Sequence, residues 1–133
     1  MYLIDTSIWI DYLREENNPC IQYFTNILDQ KLPFGITGII YQEVLQGAAS
    51  EKDFNQLVNY LNTQRFYHLR DPIVSYQAAA QLYFECRKKG ITIRSTIDCL
   101  VAQVAIEHDL ILLHNDKDYI QLKKVIPKLK LIN

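Results

Sequence analysis

Four carboxylates stand apart from the ordinary scatter of charge along this chain. They are Asp5 in Leu3-Ile4-Asp5-Thr6-Ser7, Glu43 in Tyr41-Gln42-Glu43-Val44-Leu45, Asp98 in Ser95-Thr96-Ile97-Asp98, and Asp116 in His114-Asn115-Asp116. Three of them fall where an apolar strand or a short polar loop gives way to a helix. In an open parallel sheet the carboxyl ends of the strands converge on one crevice. Carboxylates gathered there repel one another unless a cation holds them, so the pattern asks for a divalent metal. An all-oxygen site without Cys or His suits Mg2+ or Mn2+ rather than zinc.

Each acid also has an ordinary structural explanation. Asp5 follows a strand and is a good helix cap, but Thr6 or Ser7 can take that role and leave Asp5 pointing into the crevice. Thr6 or Ser7 can alternatively hydrogen-bond a metal ligand or a metal-bound water. Glu43 lies in an otherwise apolar helical stretch, and helical side chains lean toward the N-terminus, which aims it back toward Asp5. Asp98 falls in a first helical turn, where the helix dipole stabilises a carboxylate whether or not it binds anything. Asp116 sits directly beyond an apolar strand and can cap the next helix. Asp118 competes with it as the fourth acid, although its position suggests a more solvent-facing side chain.

Other chemistries find little support. His68, His108 and His114 have no His-Glu-x-x-His spacing, and nucleophile elbows, phosphate-cradling glycine loops and dinucleotide fingerprints are all absent. His114, at a strand end, reads as core packing or a substrate contact. A phosphatase of the haloacid dehalogenase type needs a second acid two residues after the first, and Ser7 stands there. Cys20, Cys86 and Cys99 show no pairing pattern and read as reduced, buried thiols. The formal net charge of −1 supplies no global field to attract phosphate, so a nucleic acid must be met by local groups. Arg94, in the loop before Asp98, is the preferred phosphate contact, with Arg87, Lys88, Lys89 and Lys117 as further cations.

The elements that must position these groups alternate between strand and helix. Tyr2–Ile4 reads as a strand, followed by a helix carrying Ile8, Trp9, Tyr12 and Leu13, and Pro19 opens a second helix. Residues 32–36 read as a strand and Thr37 caps a helix over 38–46. A helix then starts at Ser50 with Phe54, Leu57, Val58 and Leu61 facing the core. Residues 66–69 read as a third strand, and Asp71-Pro72 opens a helix that continues through Ile73, Tyr76, Ala80, Tyr83, Phe84 and Arg87 to Gly90. A further helix runs from Ser95 or Thr96 to about His108. The apolar run 110–113 suits a central parallel strand, 117–125 a short helix, and 129–131 an edge strand. This alternation predicts an α/β fold, a mostly parallel central sheet with helices on both sides, in one domain over residues 1–133. Hydrophobic residues at 49% and charged residues at 22% are ordinary globular values. No apolar run approaches the ~20 residues that span a bilayer, so a soluble, cytoplasmic protein with no membrane partner is expected.

In Asp5-Thr6-Ser7 after a first strand, Tyr41-Gln42-Glu43-Val44-Leu45-Gln46-Gly47, Asp98 opening an alanine-containing helix, and Leu112-Leu113-His114-Asn115-Asp116-Lys117-Asp118-Tyr119, the chain resembles the PIN domain. Specifically it resembles the VapC-like ribonuclease toxins of type II toxin-antitoxin systems, over nearly its whole length. The resemblance implies a three-layer α/β/α sandwich and an acidic quartet of Asp5, Glu43, Asp98 and Asp116 binding Mg2+ or Mn2+, in one or two ions. It also implies hydrolysis of RNA phosphodiesters by a metal-activated water. It further implies a cognate antitoxin, in a groove that Tyr12, Tyr41 and the first three helices would line, and a homodimer. The sequence departs from the family pattern at His114, where a small hydroxyl residue is common, and at Tyr119, where phenylalanine is usual. The competing reading is a non-catalytic PIN-like module that binds RNA or protein.

Overall fold

The computed structural model describes residues 1–132. Four short strands, β1 (Tyr2–Ile4), β2 (Phe34–Gly35), β3 (Ile111–Leu113) and β4 (Lys130–Ile132), form one sheet in the order β2-β1-β3-β4, and every pairing is parallel. Seven helices connect them: α1 (Thr6–Leu13), α2 (Pro19–Asp29), α3 (Gly38–Gln46), α4 (Glu51–Leu61), α5 (Val74–Lys88), α6 (Thr96–Glu107) and α7 (Lys117–Val125). Together they make a three-layer α/β/α sandwich.

The chain leaves β1 toward β2 on one side and β3 toward β4 on the other. With right-handed crossovers, α1 and α2 must then cover one face of the sheet and α7 the other. The strand order therefore reverses between β1 and β3, and a crevice opens beyond their carboxyl ends. Leu3, Ile4, Leu112 and Leu113 are fully buried in these two central strands, as a parallel sheet covered on both faces requires. Among the described residues, no helix is long and apolar enough to cross a membrane.

Local chemistry explains most helix starts. Asn18 caps α2 ahead of Pro19, Thr37 caps α3, Ser50 caps α4, Ser95 caps α6 and Asp116 caps α7, each side chain accepting a backbone N–H of the first turn. Helix α1 departs from expectation: Asp5, not Thr6 or Ser7, is its cap. Helix α5 begins at Val74 rather than at Pro72, because Asp71 Oδ1 takes the N–H groups of Ile73 and Val74 in a turn that precedes the helix.

The expected strand at residues 32–36 contracts to Phe34–Gly35, and that at 66–69 reduces to an isolated parallel bridge between Ile36 and Phe66. That bridge is held by the Ile36 amide on the Arg65 carbonyl at 2.9 Å and the Tyr67 amide on the Ile36 carbonyl at 2.8 Å, and the approach is close enough to require a glycine. A Cβ on Gly35 would stand 2.6 Å from the Arg65 carbonyl oxygen and 2.6 Å from the Tyr67 ring. In α4 the expected apolar stripe is only partly covered: Leu61 is buried, Leu57 and Val58 are half-buried, and Phe54 is 43% exposed. This helix lies at the periphery, where it packs on α3. All three cysteines are free and buried, and burial pushes the Cys99 thiol up to about 11.

Candidate metal centre

The crevice at the strand reversal is built first by Asp5. Its amide donates to the Leu113 carbonyl at 3.0 Å, tying the end of β1 to the end of β3. Its Oδ2 accepts from the Ser7 amide at 3.1 Å and the Ser7 hydroxyl at 2.6 Å, while its Oδ1 accepts from the Tyr119 hydroxyl at 2.8 Å. The carboxylate is thus a cap and a crevice group at once, and the residue is 6% exposed. Ser7 Oγ also accepts the Asn115 amide at 3.0 Å, so it joins Asp5 to the segment that follows β3.

That segment, 114–118, winds by two successive short-range bonds. The Asp116 amide donates to His114 Nδ1 at 3.1 Å, and the Asp118 amide donates to Asp116 Oδ1 at 2.9 Å. The winding turns both carboxylates toward the start of α6. One oxygen each from Asp98, Asp116 and Asp118 lies within 4.8 Å of the others.

Asp118 was expected to face solvent, and it does not. The residue is 5% exposed, whereas the Asp116 side chain retains 34% of its exposure. The loop before α6 folds over Asp118 and holds it, the Arg94 amide donating to Oδ2 at 3.2 Å and Arg94 Nε to Oδ1 at 3.2 Å. The second arm of the guanidinium stands 3.9 Å from Asp116. Arg94 is therefore paired with the acids, though its side chain remains 72% exposed.

Glu43 joins the site from α3 by a different route. Thr6 Oγ1 donates to Glu43 Oε1 at 2.7 Å, fixing the glutamate beside the residue next to Asp5 but outside the tight group of three aspartates. Thr6 and Ser7 thus each hold one acid, and neither caps α1.

The electrostatic cost is concentrated on Asp98. Burial, and then the negative charges of Asp116, Asp5 and Asp118, push its carboxyl up to about 7. Five carboxylates converge here against one guanidinium. The donor set is all oxygen, which is the chemistry of a hard divalent cation.

Two buried aromatic residues underlie the acids. Tyr119, fully buried, has its hydroxyl pushed up by burial and by the neighbouring carboxylates, so it stays protonated and donates to Asp5. His114, also fully buried, packs edge-on against Tyr119 with ring centroids 5.1 Å apart, and burial pushes its pKa down. The sequence marks Tyr119 only as a departure from a pattern and His114 as core packing or a substrate contact. The signal lay in their spacing, since residues two before and three after Asp116 flank the turn that carries it.

Residues 2–125 match the profile of the PIN domain. The chain belongs to the PIN-domain family. This PIN domain is 32% identical to the ribonuclease VapC11 of Mycobacterium tuberculosis over 120 residues, covering 90% of this chain and 89% of the relative. Among solved structures, VapBC2 from Rickettsia felis bound to a DNA fragment from its promoter superposes with a TM-score of 0.74 at 22% identity, covering 99% of this chain and 97% of that one. A toxin-antitoxin complex from Klebsiella pneumoniae superposes with a TM-score of 0.65 at 21% identity, covering 100% and 97%. The structural likenesses carry the three-layer PIN fold.

Proposed function

We propose that residues 1–133 act as a single-domain endoribonuclease, the toxin of a type II toxin-antitoxin pair, working in the cytoplasm with Mg2+ or Mn2+. The observation that carries this reading is the group of three aspartates within 4.8 Å, one of them pushed up to about 7. The ribonuclease name of a relative matched over 90% of the chain supports the substrate class.

Asp98 and Asp116 of this group would hold the cation, joined by Asp5, which stands outside the group of three but near enough for its charge to raise Asp98; Asp118, bonded through both oxygens to Arg94, and Glu43 would complete the acidic wall. When bound, the ion polarises a phosphoryl oxygen and lowers the pKa of a coordinated water. The chain's own groups do the positioning. Ser7 and Tyr119 together engage both oxygens of Asp5 and set its direction. Thr6 restrains Glu43. Arg94, mostly exposed and anchored to Asp118 by its own backbone amide, can turn its guanidinium from the acids to a substrate phosphate without the loop moving. Single-stranded or looped RNA fits a crevice better than a duplex, because the scissile phosphate must reach the acids.

For the antitoxin, Tyr12 and Tyr41 are half-buried, each packing on the core with one side, Tyr12 on Trp9 and Phe24 and Tyr41 on Phe66. A cavity of about 250 Å3 lies between α1, α3 and α4, its apolar lining of Ile10, Leu13, Val44 and Leu57 flanked by Arg14 and Asp53, and suits an amphipathic segment of the partner.

Homodimerisation is supported by α5. Its buried face is Ser75, Ala79, Leu82 and Cys86, yet Ile73 (74% exposed), Tyr76 (53%), Tyr83 (37%) and Phe84 (45%) form a second, solvent-facing apolar stripe. Within the stripe Tyr76 and Phe84 stand at equal distances in sequence from the exposed Ala80. Antiparallel pairing of two copies would place this small residue at the two-fold axis and bring Asp71 of one copy toward Arg87 of the other.

The test is cleavage of RNA by purified protein. Activity that requires Mg2+ or Mn2+, stops on chelation, and disappears in Asp5→Asn and Asp98→Asn is the expected result. RNA or protein binding that is indifferent to metal and to both substitutions, without cleavage, would show a non-catalytic PIN module.

A further inference from the structure

His114 is an expensive residue for its position. It lies at the carboxyl end of β3, fully buried, and its Nε2 is buried with no hydrogen-bond partner. An unpartnered polar atom in a protein interior needs an explanation, because an apolar side chain of similar volume would avoid the loss. The explanation lies at the other ring nitrogen. Nδ1 accepts the Asp116 amide at 3.1 Å, which requires a lone pair there and puts the proton of the neutral ring on Nε2.

The bond has the form of an Asx turn, a side-chain acceptor taking the N–H two residues on, with an imidazole in place of the amide oxygen. It is the first of two such bonds in series, because Asp116 Oδ1 in turn takes the Asp118 amide. The His114 ring also packs on Tyr119, whose hydroxyl holds Asp5. One buried ring therefore braces the backbone under Asp116 and the phenol that orients Asp5.

We propose that His114 is a positioning residue of the metal centre, whose Nδ1 lone pair winds the 114–118 segment and thereby aims the Asp116 and Asp118 carboxylates at Asp98. This role rests on the reading of that site as a metal centre. Groups that orient ligands from behind change metal affinity by about 10- to 100-fold when removed.

The test uses Mn2+ binding by the full chain, together with 15N NMR of the metal-free protein. The His114 ring should show a protonated Nε2 and an unprotonated, hydrogen-bond-accepting Nδ1; a protonated Nδ1 overturns the proposal. His114→Leu and His114→Asn are nearly the same size and differ in the acceptor, since the asparagine oxygen can take the Asp116 amide. His114→Leu should weaken Mn2+ binding tenfold or more, and His114→Asn should stay within about threefold of the parent protein. His114→Ala supplies the acceptor-free comparison should the leucine variant fail to fold. Equal affinities for acceptor-bearing and acceptor-free variants overturn the role of His114 alone, whereas a parent protein that binds no Mn2+ overturns the metal centre itself.

Discussion

The phenol of Tyr119, on the first turn of α7, donates a 2.8 Å hydrogen bond to Oδ1 of Asp5, at the end of β1, across 114 residues of chain. Both residues are buried, so this bond fixes a carboxylate in a place where solvent cannot substitute for a lost donor. Tyr119→Phe keeps the ring and its packing but strips Asp5 Oδ1 of its partner. A hydrogen bond to a charged group contributes about 1.5–3 kcal/mol. Urea denaturation in the presence of chelator should show a loss of that order, with the fold retained by circular dichroism. An unchanged midpoint would mean that the phenol does not restrain Asp5.

The raised Asp98 carboxyl makes metal-free stability depend on pH in a definite direction. Its pKa is about 7 in the folded chain, against 3.8 for an unperturbed side chain, so the folded state holds the proton more tightly. The stabilisation is complete below pH ~4, is lost as pH rises from there through ~7, and levels off above. Thermal melts in chelator should fall across that window, and Asp98→Asn should flatten the fall while abolishing cleavage. A wild-type profile that rises over the same window would refute the assignment.

Metal affinity follows the opposite slope from the same group. A ligand must be deprotonated to bind, so below pH ~7 each unit of acid should weaken the apparent Mn2+ affinity by about tenfold until a second carboxylate begins to titrate. Titration calorimetry between pH 5.5 and 8 in the order of ~0.5-unit steps reads this directly. Affinity independent of pH would exclude Asp98 as a ligand.

Arg94 holds Asp118 and approaches Asp116, taking charge that a divalent ion would also neutralise. Because its side chain is largely exposed, Arg94→Ala should cost only about 1 kcal/mol in chelator. The deficit should disappear in saturating Mn2+, and KM for RNA should rise more than kcat falls. A deficit that persists with metal would point to loop packing rather than charge.

The α5 stripe yields a test independent of the metal centre. Tyr83→Glu places a charge in the exposed apolar band that the two copies would share. Light scattering should report a dimer for the parent protein and a monomer for the variant, with the variant's fold retained by circular dichroism and its melting temperature lowered by the lost association. A monomeric parent protein would remove the basis for pairing through α5.

Much of the framework was legible because local rules set it. The expected bounds of α3 and α7 agree with the structure, since Thr37 and Asp116 are strong caps next to unambiguous apolar spacing. The central strands were legible for a similar reason, as continuous apolar runs that give way to polar residues, Asp5 after β1 and His114-Asn115-Asp116 after β3. Residues 66–69 misled because an aromatic, β-favouring composition met only a single bridging partner at Ile36. The α4 stripe was legible only in part: Leu61 and Leu57 meet the core while Phe54 does not, because periodicity reports that a face is apolar, not how much of it a partner covers.

By itself the sequence determined the acids, the placement of Asp5, Asp98 and Asp116 where strands or loops turn into helices, and most of the caps, because each depends on residues within one turn of one another. Tertiary structure decided which acids meet. Asp118 is buried because the Arg94 loop, 24 residues earlier, folds over it, and Asp5 is oriented by a phenol at the far end of the chain. Those contacts arise from the strand order β2-β1-β3-β4, which brings β1 and β3 side by side, and no local propensity carries that information.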